Sequence, residues 1–461
     1  MSTSSIKAVV LVGGPSRGTR FRPLSLNCPK PLFPIAGQPM LYHHLAALAE
    51  VPGLREVFLV GFFEDSVFAP FLERVAVDLP SLTVRYLREY QALGTAGGIF
   101  HFRDELTRGV TSHFFVLHSD ICTGTPLAGM LDFHRTKAAA AAAAGAELTL
   151  GTMLTSRVPP ETTQRYGCVV ADADKHVVHY VEKPEFFISD LINGGVYLFD
   201  VAVIDLLDSI RKDRVAAMAA LEASRANSID SLASLQMYDE IAAPNDGKLR
   251  LEQDILRGLA GTGRLFAYES QEFWTQMKTA TYGFHPLLYI AFSRTVCQCN
   301  LSSAVLVNTL VLQHNKRRRS GSVVAETMKG PQIIGAVSIH PSAQIHPTAK
   351  VGPNASIGPR VIIGPGCRVK ESIILDGAEL KANACVLYSV VGWNSKIGTW
   401  TRIEGTPQEG VMQKLMLNGQ KTQSATVIGH EVKIADEVII RNCLVLPHKE
   451  LKSSYHNDIL M

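Results

Sequence analysis

Charge of one sign is the first thing this chain does without. Its 45 lysines and arginines stand against 42 aspartates and glutamates, a formal net charge of +3 over 461 residues. A surface so nearly balanced does not hold nucleic acid or an anionic bilayer by electrostatics. The one basic run, Lys316 to Arg319, has no aromatic residues interleaved and reads as a solvated loop. Cysteine is sparse as well: eight are scattered through the chain, and only Cys297 and Cys299 are close, at a spacing that fits no common zinc pattern. Free thiols point to a reducing, intracellular setting. The N-terminus passes from a short polar lead into an apolar strand at Ala8 to Val12, without the charged region and cleavage site of a secretory leader. A cytoplasmic protein is the expectation. Nor is there a clean membrane span. The most apolar stretch, Phe284 to Leu312, is interrupted by Arg294, Gln298 and Asn300, and arginine at a bilayer midplane is costly.

What the chain does have is a period of six. Aliphatic residues recur at Ile339, Ile345, Val351, Ile357, Ile363, Val369 and Leu375, with echoes at Leu380, Val386, Val391, Ile397, Ile403, Ile428, Ile434 and Ile440. Neither a strand period of two nor a helix period of 3.6 produces this, so each hexad is one face of a β-helix coil. Gly352, Gly358 and Gly364 follow the aliphatic position, where a tight corner favours a residue without Cβ. Such a stack leaves unpaired coil ends, which predicts association through the C-terminal third as a hetero- or homo-oligomer.

The N-terminal part has a different rhythm. Strand-like runs at residues 6 to 12, Val57 to Val60, Thr83 to Tyr86, Phe114 to Leu117 and Leu148 to Met153 alternate with helical or loop segments. That is the βαβ pattern of a mostly parallel sheet, with ligands expected beyond the carboxyl ends of the strands. The alanine run Ala138 to Ala144 reads as a surface helix, and residues 209 to 247 as a helical insertion.

Chemistry concentrates in the turn after the first strand, GGPSRGTRFRPLSLNCPKPL from Gly13 to Leu32. Glycines let backbone N–H groups crowd a polyphosphate, and Arg20, Arg22 and Lys30 would neutralise it. It is no Walker A loop, because Thr19 stands where that motif requires lysine. Four further stretches follow in order: LGTAGG at Leu93 to Gly98, VLHSD at Val116 to Asp120, YVEKP at Tyr180 to Pro184 and INGGVYLF at Ile192 to Phe199.

With these motifs the chain resembles the sugar-phosphate nucleotidyltransferases, whose signature is G-G-x-G-T-R, a short spacer and P-K-P. The resemblance implies an α/β fold: an N-terminal Rossmann-like nucleotidyltransferase domain with a mixed, mostly parallel sheet over 1–278, and a C-terminal left-handed parallel β-helix over 331–461. Residues 279–330 are left as an insertion or linker. It implies in-line attack by a sugar-1-phosphate oxygen on the α-phosphorus of a nucleoside triphosphate, a reaction that needs positioning and charge neutralisation. Carried over, Arg20 and Lys30 hold the triphosphate beside Gly13 and Gly14, and the loop with Gly94, Thr95 and Gly97 packs against the base. Asp120 binds Mg²⁺. Glu182 accepts hydrogen bonds from the sugar, Lys183 meets the sugar phosphate, and Asn193 with the Gly167 backbone lines the sugar pocket.

Two departures matter. Active members carry a second metal-binding aspartate in a stretch like F-W-M-D-I-G, whereas this chain reads Phe273, Trp274, Thr275, Gln276, Met277, Lys278. A neutral amide with a lysine nearby predicts a weakened Mg²⁺ site. The glycine loop also holds Pro15, Ser16 and Arg17 where the catalytic pattern has one residue. These departures, with FRPLS after the loop, FISD at Phe187 to Asp190 and LPHKEL at Leu446 to Leu451, are similar to the regulatory-type alpha chains of the GDP-mannose pyrophosphorylases. The resemblance implies GDP-mannose, or GTP with mannose-1-phosphate, as ligands and a homologous catalytic beta-type subunit as partner. The insertion Thr406 to Ala425 lies where that family carries a loop proposed to reach the catalytic partner. Three alternatives stay open: an active guanylyltransferase using Asp120 alone, a scaffold like the gamma and epsilon subunits of the translation-initiation nucleotide exchange factor, and a hexapeptide acyltransferase built on His340 and His346.

Overall fold

The computed structural model describes residues 5–14, 21–91, 93–109, 111–124, 126–227, 248–279, 302–319, 330–406, 416–417, 420–421 and 425–461. These residues form two compact units whose segments alternate along the chain: residues 1–14, 45–118 and 126–270 make one, and residues 15–44, 119–125 and 271–461 the other.

The first unit is built on one sheet. Its strands are β1 (Ser5–Gly13), β2 (Leu54–Gly61), β3 (Thr83–Arg88), β4 (Thr111–His118), β5 (Gly151–Arg157), β6 (Gly167–Ala171), β7 (Val177–Glu182), β8 (Leu191–Asp200) and β9 (Leu265–Glu269). The order is β7-β6-β8-β4-β1-β2-β3, with β5 paired to β8 and β9 to β5. The β1 pairings with β2 and β4 are parallel, as is β2 with β3, while β8 runs antiparallel to β4, β5 and β6. A central strand must be apolar on both faces, and β1 is buried from Ile6 to Val10. Its one charge, Lys7, is buried because its ammonium donates to the carbonyls of Glu105 at 2.6 Å and Arg108 at 2.8 Å. The strand expected from Leu148 begins instead at Gly151, and Leu148 is exposed. The alanine run ends the helix Leu127–Ala143 and is largely exposed. Of the segment 209 to 247, the helix Val203–Asn227 is described and the rest lies outside the described residues.

The second unit carries the β-helix, three parallel sheets of seven, seven and six short strands. Its register explains the sixfold period and also where that period slips. Ile339 pairs with Ile357 and Val351 with Val369, eighteen residues apart and hence three hexads per coil. The next coil is one residue shorter, so Ile357 pairs with Ile374, and Ile374 in turn with Val391. The expected seventh member of the ladder, Leu375, therefore faces outward into a different cluster, while Ile374 fills the coil interior. The echoes fall in register: Val386 pairs with Ile403, Ile403 with Ile440, Ile397 with Ile434 and Val391 with Ile428. Gly352 has φ +105°, which only glycine adopts readily. At Gly358 and Gly364 the backbone is ordinary; there a Cβ would stand about 3.0 Å from the backbone of the next coil, at Asp376 N and Leu380 O.

Of residues 279–330, the structure describes Thr279, 302–319 and Gly330, and Ala304–Arg319 is a helix. Its residues Ala304, Val305, Val307, Val311 and Leu312 are buried in one cluster with Ile373, Leu375, Tyr388, Val390 and Val427 of the β-helix and with Phe21, Leu24, Phe33 and Ile35. The apolarity of this part of the chain is that of a packed helix. Asn308, fully buried, accepts hydrogen bonds from the backbone N–H of Ala36 at 2.8 Å and the Ser356 hydroxyl at 2.7 Å. Among the described residues no helix is long and apolar enough to cross a membrane.

Candidate functional site

In the second unit, Lys30 sits in a 3₁₀ turn, Lys30–Leu32, whose flanking Pro29 and Pro31 fix the backbone. Its ammonium stands 2.9 Å from Oδ2 of Asp120. The strand Trp274–Thr279 pairs antiparallel with Ile121–Thr123, placing Gln276 opposite Ile121, and Met277 N–H donates to the Asp120 carbonyl at 2.9 Å. Gln276 Nε2 thereby reaches Asp120 Oδ1 at 3.2 Å and Oδ2 at 3.1 Å. The sequence motifs thus bring Lys30, Asp120 and Gln276 together. Behind them burial lowers His44 from an ordinary 6.5 to about 4, and its Nε2 lies 3.4 Å from the Ser119 carbonyl. Burial likewise pushes the Cys122 thiol up to about 12.

This donor set does not fit a divalent cation. Mg²⁺ takes hard oxygen ligands in near-octahedral geometry, whereas Asp120 here meets an ammonium and an amide nitrogen. Among the described residues no group of three or more His, Cys, Asp or Glu side chains is placed to hold a metal ion. Arg20 and the rest of the loop 15–20 lie outside the described residues, as does the side chain of Lys278.

In the first unit, Gly13 ends β1 at φ +72°, and a Cβ on Gly14 would stand 2.7 Å from Cβ of Phe62. The LGTAGG loop opens the helix Thr95–His101. Its N–H groups are not free: Ala96 and Gly97 donate to the Leu249 carbonyl at 3.0 and 3.2 Å, and Leu249 N–H returns to Leu93 O at 2.9 Å. A Cβ on Gly94 would overlap that same carbonyl, so Gly94 admits the backbone of residue 249 and supplies φ +86°. Thr95 Oγ1 accepts from Leu251 N–H at 2.9 Å and donates to Glu252 at 3.3 Å. Glu252 also faces His118 at 3.2 Å. Burial alone would raise the Glu252 carboxyl; the hydrogen bond and charge of His118 outweigh it and hold the group below its ordinary range. Glu252 carries no motif signal and follows directly on an insertion, which is why sequence reasoning missed it.

The remaining expected residues, also in this unit, lie on or just after three successive strands at one end of the sheet, β7, β6 and β8. Glu182 ends β7 opposite Gly167 of β6. Lys183 follows with φ +49°, a left-handed conformation uncommon for a side-chain-bearing residue, and its ammonium lies 3.0 Å from Glu182 Oε1. Asn193 lies at the irregularity of β8, where Asn193 pairs with Thr155 and Tyr197 with Met153. Two extra residues are thus accommodated on β8, with Gly195 at φ +69°. Tyr180, absent from the expected set although inside YVEKP, donates to Glu182 Oε2 at 2.7 Å.

Two family models match separate parts of the chain. A family model described as Nucleotidyl transferase matches residues 7–231, and one described as GMPPB C-terminal domain matches residues 333–460. A "Probable mannose-1-phosphate guanyltransferase" of Schizosaccharomyces pombe is 40% identical, covering 98% of this chain and 99% of its own. A "Mannose-1-phosphate guanylyltransferase regulatory subunit alpha" of Dictyostelium discoideum is 41% identical over 100% of both chains. Among solved structures, a putative glucose-1-phosphate thymidylyltransferase from Bacillus anthracis aligns at 17% identity, with TM-score 0.44, over 60% of this chain and 91% of its own, too distant to carry an argument. Identity of this order along the whole length places the chain in the mannose-1-phosphate guanylyltransferase family of nucleotidyltransferases.

Proposed function

We propose that this chain is a regulatory-type subunit that binds GDP-mannose and restrains a homologous catalytic subunit, in the cytoplasm. The reaction so controlled is GTP plus mannose-1-phosphate giving GDP-mannose plus pyrophosphate. One observation carries the reading: the Asp120 carboxylate meets Lys30 and the Gln276 amide instead of a second carboxylate. Nucleotidyl transferases generally use Mg²⁺, and the residues present here do not fit it, so no step is routed through the ion. On the sugar side, Glu182, Lys183 and Asn193 are kept in an ordered, hydrogen-bonded set. In this reading Glu182 accepts from the sugar hydroxyls and Lys183 meets the phosphate next to the sugar. Asn193 and Gly167 shape the pocket, Arg20 and Lys30 meet the nucleotide phosphates, and Gly13, Gly14 and the loop with Gly94, Thr95 and Gly97 face the nucleotide. The printed name of the Dictyostelium relative, a regulatory subunit, supports a catalytic partner.

The test is calorimetric titration of the purified chain with GDP-mannose, run beside a turnover assay with GTP, mannose-1-phosphate and Mg²⁺. Binding without turnover is expected. Turnover by the chain alone, abolished by Asp120→Ala, would instead establish an active guanylyltransferase.

A further inference from the structure

We propose that Tyr180 is a positioning residue for the sugar, its hydroxyl fixing the Glu182 carboxylate in the orientation that sugar hydroxyls meet. This role rests on the nucleotide-sugar reading above.

The geometry begins with Asn193. The Gly195 N–H can only donate, and it lies 2.9 Å from Asn193 Oδ1, which settles the orientation of the amide. Nδ2 then faces two phenols, Tyr197 at 2.8 Å and Tyr180 at 3.3 Å. Both amide hydrogens are committed inside the protein, so Asn193 acts as a bracket for the two tyrosines. With its oxygen accepting from Asn193, the Tyr180 hydroxyl has its own proton to give, and Glu182 Oε2 takes it at 2.7 Å. Amide, phenol and carboxylate form one directed chain, in which each donor polarises the next.

Gly167 fits the same arrangement. A Cβ there would overlap the Tyr180 hydroxyl and stand 2.8 Å from Glu182 Oε2. The missing side chain makes room for the phenol–carboxylate bond. Tyr180 is 3% exposed, and burial, reinforced by the Glu182 charge, drives its hydroxyl far above the ordinary phenol range, so it stays a donor. Glu182 is partly open to solvent and Lys183 largely so. A carboxylate offers about four lone-pair directions; Tyr180 and Lys183 take two, which leaves the others for sugar hydroxyls.

The experiment compares GDP-mannose with GDP by calorimetry on the full chain, for the unaltered protein, Tyr180→Phe, Glu182→Gln and the double variant, with thermal melts as a fold control. Losing one hydrogen bond to a charged acceptor should weaken GDP-mannose about tenfold in Tyr180→Phe, with GDP affinity unchanged. The double variant should bind no more weakly than Glu182→Gln, because Tyr180 acts only through the carboxylate that Glu182→Gln removes. If Tyr180→Phe melts early, the titrations are run below its melting transition, where the same selective loss should appear. Unchanged GDP-mannose affinity, equal loss for GDP and GDP-mannose, or additive effects in the double variant would each overturn the role. An unaltered chain that binds GDP but not GDP-mannose would overturn the nucleotide-sugar reading itself, and the role with it.

Discussion

The Lys30 ammonium and the Asp120 carboxylate, ninety positions apart in sequence, stand 2.9 Å from each other, and both are largely buried. The pairing neutralises from within the protein a charge that a metal ion would otherwise neutralise. Gln276→Asp adds a second carboxylate at the amide that now faces Asp120. Because affinity for hard cations follows the number of charged oxygen ligands, Mg²⁺ binding to the isolated chain should tighten by roughly tenfold or more. Calorimetry with Mg²⁺ alone reads this directly, and an unchanged titration would show that the lysine decides the matter rather than the missing carboxylate.

His44 makes stability depend on acid. Burial lowers its pKa from 6.5 to about 4, partly offset by the Ser119 carbonyl, so the folded state keeps it neutral where the unfolded chain binds a proton. Its contribution is therefore intact above pH 6.5 and is lost progressively as the pH falls towards about 4. For a group so fully buried, the total is about 3 kcal/mol. Urea denaturation across this window should show the loss in the unaltered protein and less of it in His44→Phe. Parallel pH curves for the two proteins would count against it.

Asn308 should be costly to replace. In Asn308→Leu, the Ala36 N–H and the Ser356 hydroxyl lose a shared acceptor in a fully buried place. Two buried donors left unmatched should destabilise the chain by about 3 kcal/mol. The urea midpoint of the full chain measures this, and a shift close to zero would mean that water or another group takes over.

Much of this architecture is legible in the residues. A run such as Ile6 to Val10, opening a βαβ rhythm, reads as a strand buried on both faces, and a sixfold aliphatic repeat reads as a stack of coils. Legibility fails where a count depends on a neighbour. Leu375 keeps the period yet leaves the ladder, because one coil is a residue short and Ile374 is the residue that meets Ile357. The sequence around the helix Ala304–Arg319 argues against a bilayer span but does not say which surfaces its apolar residues pack on. At the candidate site, motif spacing brought Lys30, Asp120 and Gln276 into view but not which atoms would meet. Nor does it show Glu252, which is held to the glycine loop through Thr95 from a distant part of the chain.

Sequence alone determined the chemistry available: an amide at position 276, an intact EKP and NGG pair, and a repeat that commits the C-terminal third to coils. Those are identities and local periods, set by covalent order. Tertiary structure alone decided how each group is employed. It turned Asn193 inward as a bracket, gave Gly167 the task of leaving space for a phenol, and set Lys30 against Asp120. Hydrogen bonds are directional and short-ranged, so partners far apart in the chain acquire meaning only when the backbone has brought them within about 3 Å.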